Sequence, residues 1–192
     1  MVNSIFSYWR FLLAGLMNQS QMGAVVPSQR FLIDRMISPV PTDYCGEILE
    51  LGAGNGALTV RLAARCPKAR IVACEINPVL AQDLRARMEA VKLSRRVEVI
   101  SDSAEHFLLQ LRRRGGLGLD FVISGIPLAH LTREQVFSLA GSIQDGLAPG
   151  GLYIQFQHSL IDRKNIKATF SRLRTVPVFL NFPPAVVYYA RK

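Results

Sequence analysis

Residues 47–57 read Glu47-Ile48-Leu49-Glu50-Leu51-Gly52-Ala53-Gly54-Asn55-Gly56-Ala57, an apolar run that breaks into a glycine-rich turn and resumes as a helical stretch. A strand, a tight turn and a helix start in that order form the opening of a βαβ unit. Glycine tolerates backbone conformations that a Cβ forbids, and it lets a ligand approach the chain closely. The glycine spacing alone leaves two ligands open, because Gly52, Gly54 and Ala57 also satisfy the G-x-G-x-x-G/A pattern of dinucleotide sites.

Working outward, the same alternation repeats. Apolar runs at 47–51, 70–75, 97–101, 119–124 and 151–157 read as buried strands, with helical stretches at 57–65, 77–91, 104–113 and 132–146 between them. A further helix is expected at 162–173, followed by strands near 175–180 and 185–190 joined by Asn181-Phe182-Pro183-Pro184. Strands alternating with helices require right-handed crossovers, so the expected fold class is α/β and Rossmann-like. It has a mostly parallel seven-stranded sheet with helices on both faces and an antiparallel terminal hairpin. Residues 47–192 form one globular unit, and 1–46 form an N-terminal helical extension that includes a helix near 29–37 stopped by Pro39 and Pro41.

Three carboxylates decide between the ligands. Glu50, two residues before Gly52, would repel a pyrophosphate but can hold the ammonium of a methionine moiety, directly or through water. Glu75 ends the second strand, where an acid can accept both ribose hydroxyls. Asp102 ends the third, in Ser101-Asp102-Ser103-Ala104, within reach of an adenine amino group. Glu75 and Asp102 also fit the ordinary role of helix N-caps. Three acids at the ends of three successive strands, on the rim where open α/β sheets bind ligands, favour S-adenosylmethionine over a nicotinamide dinucleotide. The expected donor site comprises Glu50, Gly52, Ala53, Gly54, Gly56, Glu75, Ile76, Asp102, Ser103 and Ala104, with Ser124 and Gly125 from the end of the fourth strand.

Composition narrows the class. The 192 residues are 49% hydrophobic and 19% charged, which supplies a core and excludes a disordered chain. A net charge of +9, rising toward the C-terminal half, attracts polyanions, either nucleic acid or an anionic membrane surface. Cys45, Cys66 and Cys74 form no CxxC, and His106, His130 and His158 share no metal-ligand spacing, so reduced thiols and no metal are expected. No apolar run is long enough to span a bilayer, and no convincing leader cleavage site follows Phe11, so the expected location is cytoplasmic. Near the N-terminus, Ile5, Phe6, Trp9, Leu12, Leu13, Leu16 and Met17 fall within an arc of about 140° on a helix. That helix either packs on its own domain or lies in a membrane interface, with Tyr8 and Trp9 at headgroup depth.

The fourth strand runs into Ser124-Gly125-Ile126-Pro127-Leu128. Enzymes that methylate the exocyclic amine of a base place an amide or acid here, then proline and an aromatic ring that stacks on the flipped base. Ser124 and Leu128 offer neither, which weakens a nucleic-acid acceptor. The chain resembles the bacterial phospholipid N-methyltransferases of the soluble, class I S-adenosylmethionine-dependent type. The resemblance rests on Gly23-Ala24-Val25-Val26-Pro27-Ser28, the loop at 50–56, the segment 124–128, Tyr153-Ile154-Gln155-Phe156 and Asn181-Phe182-Pro183-Pro184-Ala185. It implies a peripheral enzyme on the inner face of the cytoplasmic membrane that methylates the amine of phosphatidylethanolamine or a related aminolipid, with Ser28 at the donor site and no obligate protein partner. Gln29 stands where the family has a second serine, and Gln157-His158 where it more often has Thr-Tyr. The acceptor implied by these departures includes an ornithine-containing lipid or a partly methylated intermediate.

For the transfer itself, Tyr153 and His158 are the expected groups to hold or deprotonate the acceptor amine, with Ser124 beside them. Rings of Tyr8, Trp9 and Tyr153 would favour the methylated ammonium by about 1–2 kcal/mol each. The basic sets Arg112-Arg113-Arg114 and Arg163, Lys164, Lys167, Arg172 and Arg174 are either solvated faces or attractions for anionic headgroups. An adenine-directed rRNA methyltransferase and a non-catalytic S-adenosylmethionine-binding module are the competing readings.

Overall fold

The computed structural model describes residues 27–115, 118–181 and 183–192, with side chains from residue 29 onward. The expected helix at 5–17, with Tyr8 and Trp9, lies outside the described residues, as do most of Gly23–Ser28 and Phe182. The elements are α1 (Pro27–Ile37), β1 (Glu47–Leu51), α2 (Ala57–Arg65), β2 (Arg70–Glu75), α3 (Pro78–Ala90), β3 (Val97–Ser101), α4 (Ala104–Arg113) and β4 (Leu119–Ser124). A 3-10 turn at Leu128–His130 follows, then α5 (Arg133–Gly146), β5 (Leu147–Gln157), α6 (Arg163–Thr169), β6 (Arg172–Val178) and β7 (Ala185–Arg191).

The seven strands form one sheet in the order β3-β2-β1-β4-β5-β7-β6. Strands β1 to β5 are parallel, while β7 runs antiparallel to both β5 and β6. The chain reverses direction across the sheet between β1 and β4, and such a switch point opens a crevice outside the carboxyl ends of the strands. Alternating side chains feed two cores. Ile48, Ile71, Ala73, Ile123 and Ile154 pack under α1, α2 and α3, whereas Leu49, Leu51, Val72, Val122 and Tyr153 pack under α4, α5 and α6. Each fully buried aliphatic side chain contributes about 1.5–3 kcal/mol, so two covered faces fix the register of the parallel strands.

Polar side chains end the helices cleanly. Asn77 Oδ1 accepts from Val79 N at 2.9 Å to cap α3, and Ser103 Oγ accepts from His106 N at 3.1 Å to cap α4. Thr132 and Gln135 form a reciprocal capping box on α5. At the opposite end of α2, Arg96 donates to the carbonyls of Ala63, Cys66 and Ala69, satisfying groups that the helix leaves open.

The largest departures from the sequence expectation are at two boundaries. The helix expected at 162–173 ends at Thr169, because from Arg172 onward the backbone pairs with β7 in an antiparallel ladder that outweighs local helical preference. Strand β5 begins at Leu147 rather than 151, with a register shift opposite Leu119 and Phe121 and Gly150 at φ +78°. That irregularity carries the chain from α5 straight into the sheet.

Candidate functional site

The turn after β1 is tied to the neighbouring strand by Gly52 N and Ala53 N, which both donate to Cys74 O, at 2.8 and 3.2 Å. Gly54 adopts φ +54°, and its N–H donates to Glu75 Oε2 at 2.8 Å. Asn77 N donates to Glu75 Oε1 at 2.9 Å. Glu75 is therefore a brace between the glycine turn and the start of α3. Neither it nor Asp102 is the helix cap that its sequence position also allowed, since Asn77 and Ser103 fill those roles. A carboxylate offers about four lone-pair directions, so Glu75 retains acceptor capacity toward ribose hydroxyls. Ile76 follows it, exposed on the rim.

Space over the turn is available for a ligand. A Cβ added at Gly54 would meet no heavy atom within 4 Å, so its open side faces out of the protein. At Gly56 a Cβ would lie 2.2 Å from Leu84 Cδ1, so this glycine serves close packing of α2 on α3.

Glu50 is 2% exposed on the β1 face toward α2, and its Oε2 has no hydrogen-bond partner among the described residues. Burial, reinforced by the charge of Glu75, pushes its carboxyl up to about 8, against the opposing pull of the Thr59 hydroxyl. An orphaned buried carboxyl oxygen is costly and is matched by a cationic donor. The ammonium of S-adenosylmethionine is such a donor, so the residues present fit this group.

At the third strand end, Asp102 Oδ1 accepts from Ser103 N at 2.7 Å, and Oδ2 lies 2.7 Å from His106 Nδ1. Gln110 reaches the same imidazole at 3.2 Å. Ala104, at the start of α4, is buried beside them. His106 was missed in the sequence, although an acid at a strand end with a histidine one helical turn later is a readable spacing.

Beyond β4 the structure corrects two catalytic expectations. Tyr153 is 1% exposed, stacks on Phe170 at 5.5 Å, and donates its hydroxyl to Gln155 Oε1 at 2.7 Å. The hydroxyl is committed to Gln155 inside the core beneath α4, α5 and α6, and burial raises its pKa well above the ordinary tyrosine value, so the open base expected from the sequence is not what the fold presents. Ser124 is fully buried, and its Oγ accepts from Ile126 N at 3.2 Å. Gln155 and Gln157 donate to Ile126 O at 2.9 and 3.2 Å. These side chains clamp the 124–128 turn from below. Gly125 meets β1 there, with its N–H donating to Leu51 O at 2.8 Å. In the sequence Gln155 stood only within a segment of family resemblance and Gln157 only as a departure from it, and neither was given this supporting role because nothing local shows that they point inward. His158 is exposed at the end of β5, with Nδ1 3.0 Å from Pro184 O and its ring edge-on to Phe156. Ser28 lies in the first turn of α1, and its side chain is outside the described residues.

With this geometry in place, comparison with known proteins gives the family. The pattern of the family described as "Methyltransferase domain" matches residues 48–151. The chain belongs to the methyltransferase domain family. Its fold and family are those of the S-adenosylmethionine-dependent methyltransferases, and S-adenosylmethionine is its methyl donor. Among solved structures, this methyltransferase is similar to the O-methyltransferase from Bacillus cereus in complex with SAH, with a TM-score of 0.68 and 19% identity over 94% of this chain and 88% of that one. In sequence it is 26% identical over 186 residues to an ornithine lipid N-methyltransferase of Singulisphaera acidiphila, covering 96% of this chain and 95% of the relative. It is also 33% identical over 98 residues to a probable ribosomal RNA small subunit methyltransferase A of Methanosarcina acetivorans. That match covers 48% of this chain and 35% of the relative.

Proposed function

We propose that this methyltransferase N-methylates a membrane aminolipid, an ornithine-containing lipid or phosphatidylethanolamine, at the inner face of the cytoplasmic membrane. One observation carries the reading. Likeness to the ornithine lipid enzyme runs from end to end of both chains, whereas likeness to the RNA enzyme is confined to about half of this one. The site agrees with it: Leu128, where a base-methylating enzyme would offer a ring, is aliphatic and 1% exposed.

When bound, S-adenosylmethionine supplies an electrophilic methyl on its sulfonium. Glu50 would hold the donor's ammonium, Glu75 its ribose and Asp102 its adenine amine. Positioning is the main demand, because transfer is an in-line displacement. The acceptor ammonium must first lose a proton. His158 is the group placed to take it: the ring is exposed, and Pro184 O, which can only accept, engages Nδ1 and so leaves Nε2 to face the acceptor. Labelled donor with vesicles of ornithine lipid or phosphatidylethanolamine, beside a sample of ribosomal RNA, tests the reading. Label in the lipid is expected. Label in RNA alone would replace it with the nucleic-acid reading, and donor binding with no labelled product would leave a non-catalytic module.

A further inference from the structure

The end of the sheet that holds the donor site also carries two apolar projections. Leu160 and Ile161, 53% and 76% exposed, follow the carboxyl end of β5. Phe179 and Leu180, 78% and 67% exposed, form the start of the turn between β6 and β7. The two lie side by side in the sheet order, because β7 sits between β5 and β6, and His158 Nδ1 contacts Pro184 O across the gap.

Neither projection is a loose loop. The first is held by Ser159 O, which accepts from Tyr188 OH at 2.8 Å, and by buried Asp162, with Arg163 N donating to Leu160 O. The second is held by buried Val178 and buried Asn181, whose Nδ2 donates to Pro183 O at 2.7 Å. In each case two large apolar side chains are pushed outward between flanks that point in. Water is a poor solvent for such surface, and a rigid display of it on the functional rim marks an interaction face.

Charge selects the partner. The carboxylate of Asp162 is buried, and Arg163 and Lys164 are exposed directly behind Ile161. On the same helix Lys167 is exposed as well, and no Asp or Glu follows Asp162 in the chain; Arg172, Arg174, Arg191 and Lys192 lie at the opposite end of the sheet and take no part. Apolar side chains at the tip with cations behind them match a bilayer whose surface is anionic and whose interior is hydrocarbon.

We propose that Leu160, Ile161, Phe179 and Leu180 form a two-pronged membrane anchor that seats the acceptor rim on an anionic bilayer. The proposal rests on the lipid-acceptor reading and adds to it the surface that docks.

The test compares the full chain with the variant Ile161→Ser/Leu180→Ser, whose changes lie at exposed positions and leave the donor site intact. Co-sedimentation with phosphatidylglycerol–phosphatidylethanolamine vesicles is expected to weaken at least tenfold in the variant, with donor affinity and melting temperature unchanged. Methylation of a short-chain aminolipid kept monomeric is expected to stay within twofold, while methylation of vesicle lipid falls with binding. Equal vesicle binding by both proteins would overturn the anchor, even if both methylate lipid. Concentration-dependent dimerisation that the variant abolishes, without vesicle affinity, would assign the surface to a second copy and overturn it too. If the wild type binds vesicles through these residues but methylates no aminolipid, the acceptor reading fails and the anchor stands.

Discussion

Glu50 shows how one buried side chain couples proton and ligand. Its carboxyl titrates near 8 in the folded chain, above its ordinary value, because burial opposes the charge. A raised carboxyl stabilises the fold fully below its unfolded pKa and loses that contribution as pH rises through the folded value. Between about pH 4.5 and 8 the ligand-free protein is therefore expected to lose on the order of 3–5 kcal/mol, and Glu50→Gln should flatten this slope in thermal melts. A donor ammonium bound beside Glu50, as proposed, would reverse the preference and ionise it. Calorimetry near pH 7 in buffers of different ionisation enthalpy should show roughly one proton released per donor bound. In Glu50→Gln the release should vanish and affinity fall roughly 10–100-fold, the value of a charge-assisted hydrogen bond. Proton uptake, or unchanged release in the variant, would remove Glu50 from the donor site.

Among the elements, the turn after β4 and the end of α2 separate function from scaffold. Tyr153, Gln155, Gln157 and Ser124 support the 124–128 turn without facing solvent. Tyr153→Phe leaves Gln155 Oε1 without the donor it has now, so a loss of about 1–3 kcal/mol in urea unfolding is expected. Turnover on every acceptor should stay within about fivefold, as befits a group that touches no substrate. A collapse of kcat with stability intact would return Tyr153 to the chemistry. Arg96 stands at the far end of the sheet, bonded to three carbonyls around the end of α2. Arg96→Ala should cost about 2–3 kcal/mol while donor affinity measured on the folded protein is unchanged. Loss of donor binding below the melting transition would show that the two ends of α2 are coupled.

On the scale of the whole molecule, a net charge of +9 sets long-range behaviour more than any one contact. Binding to phosphatidylglycerol vesicles should weaken steeply between about 50 and 300 mM salt as the Debye length shrinks, and removal of residues 1–17 should weaken it further. Equal affinity for neutral and anionic vesicles at low salt would count against electrostatic attraction. The alternating α/β layout was readable along the chain: five parallel strands, the glycine turn and three acids at strand ends all follow from short-range periodicity. The limit of the α6 helix was not, because pairing of Arg172–Val178 with β7 is a contact between distant segments.

Local pattern and residue chemistry by themselves determined which stretches are strands, where the glycine turn lies and which acids stand at the strand ends beside it. Each of these depends on neighbours within a few positions. Tertiary structure alone decided what each polar group does once the sheet closes. It gave both oxygens of Glu75 to Gly54 and Asn77, set His106 against Asp102, and turned Tyr153 into the core. It also brought two separate apolar pairs to one rim. Facing and pairing are properties of the packed layers, and the pleat sends alternate residues to opposite faces whatever their chemistry.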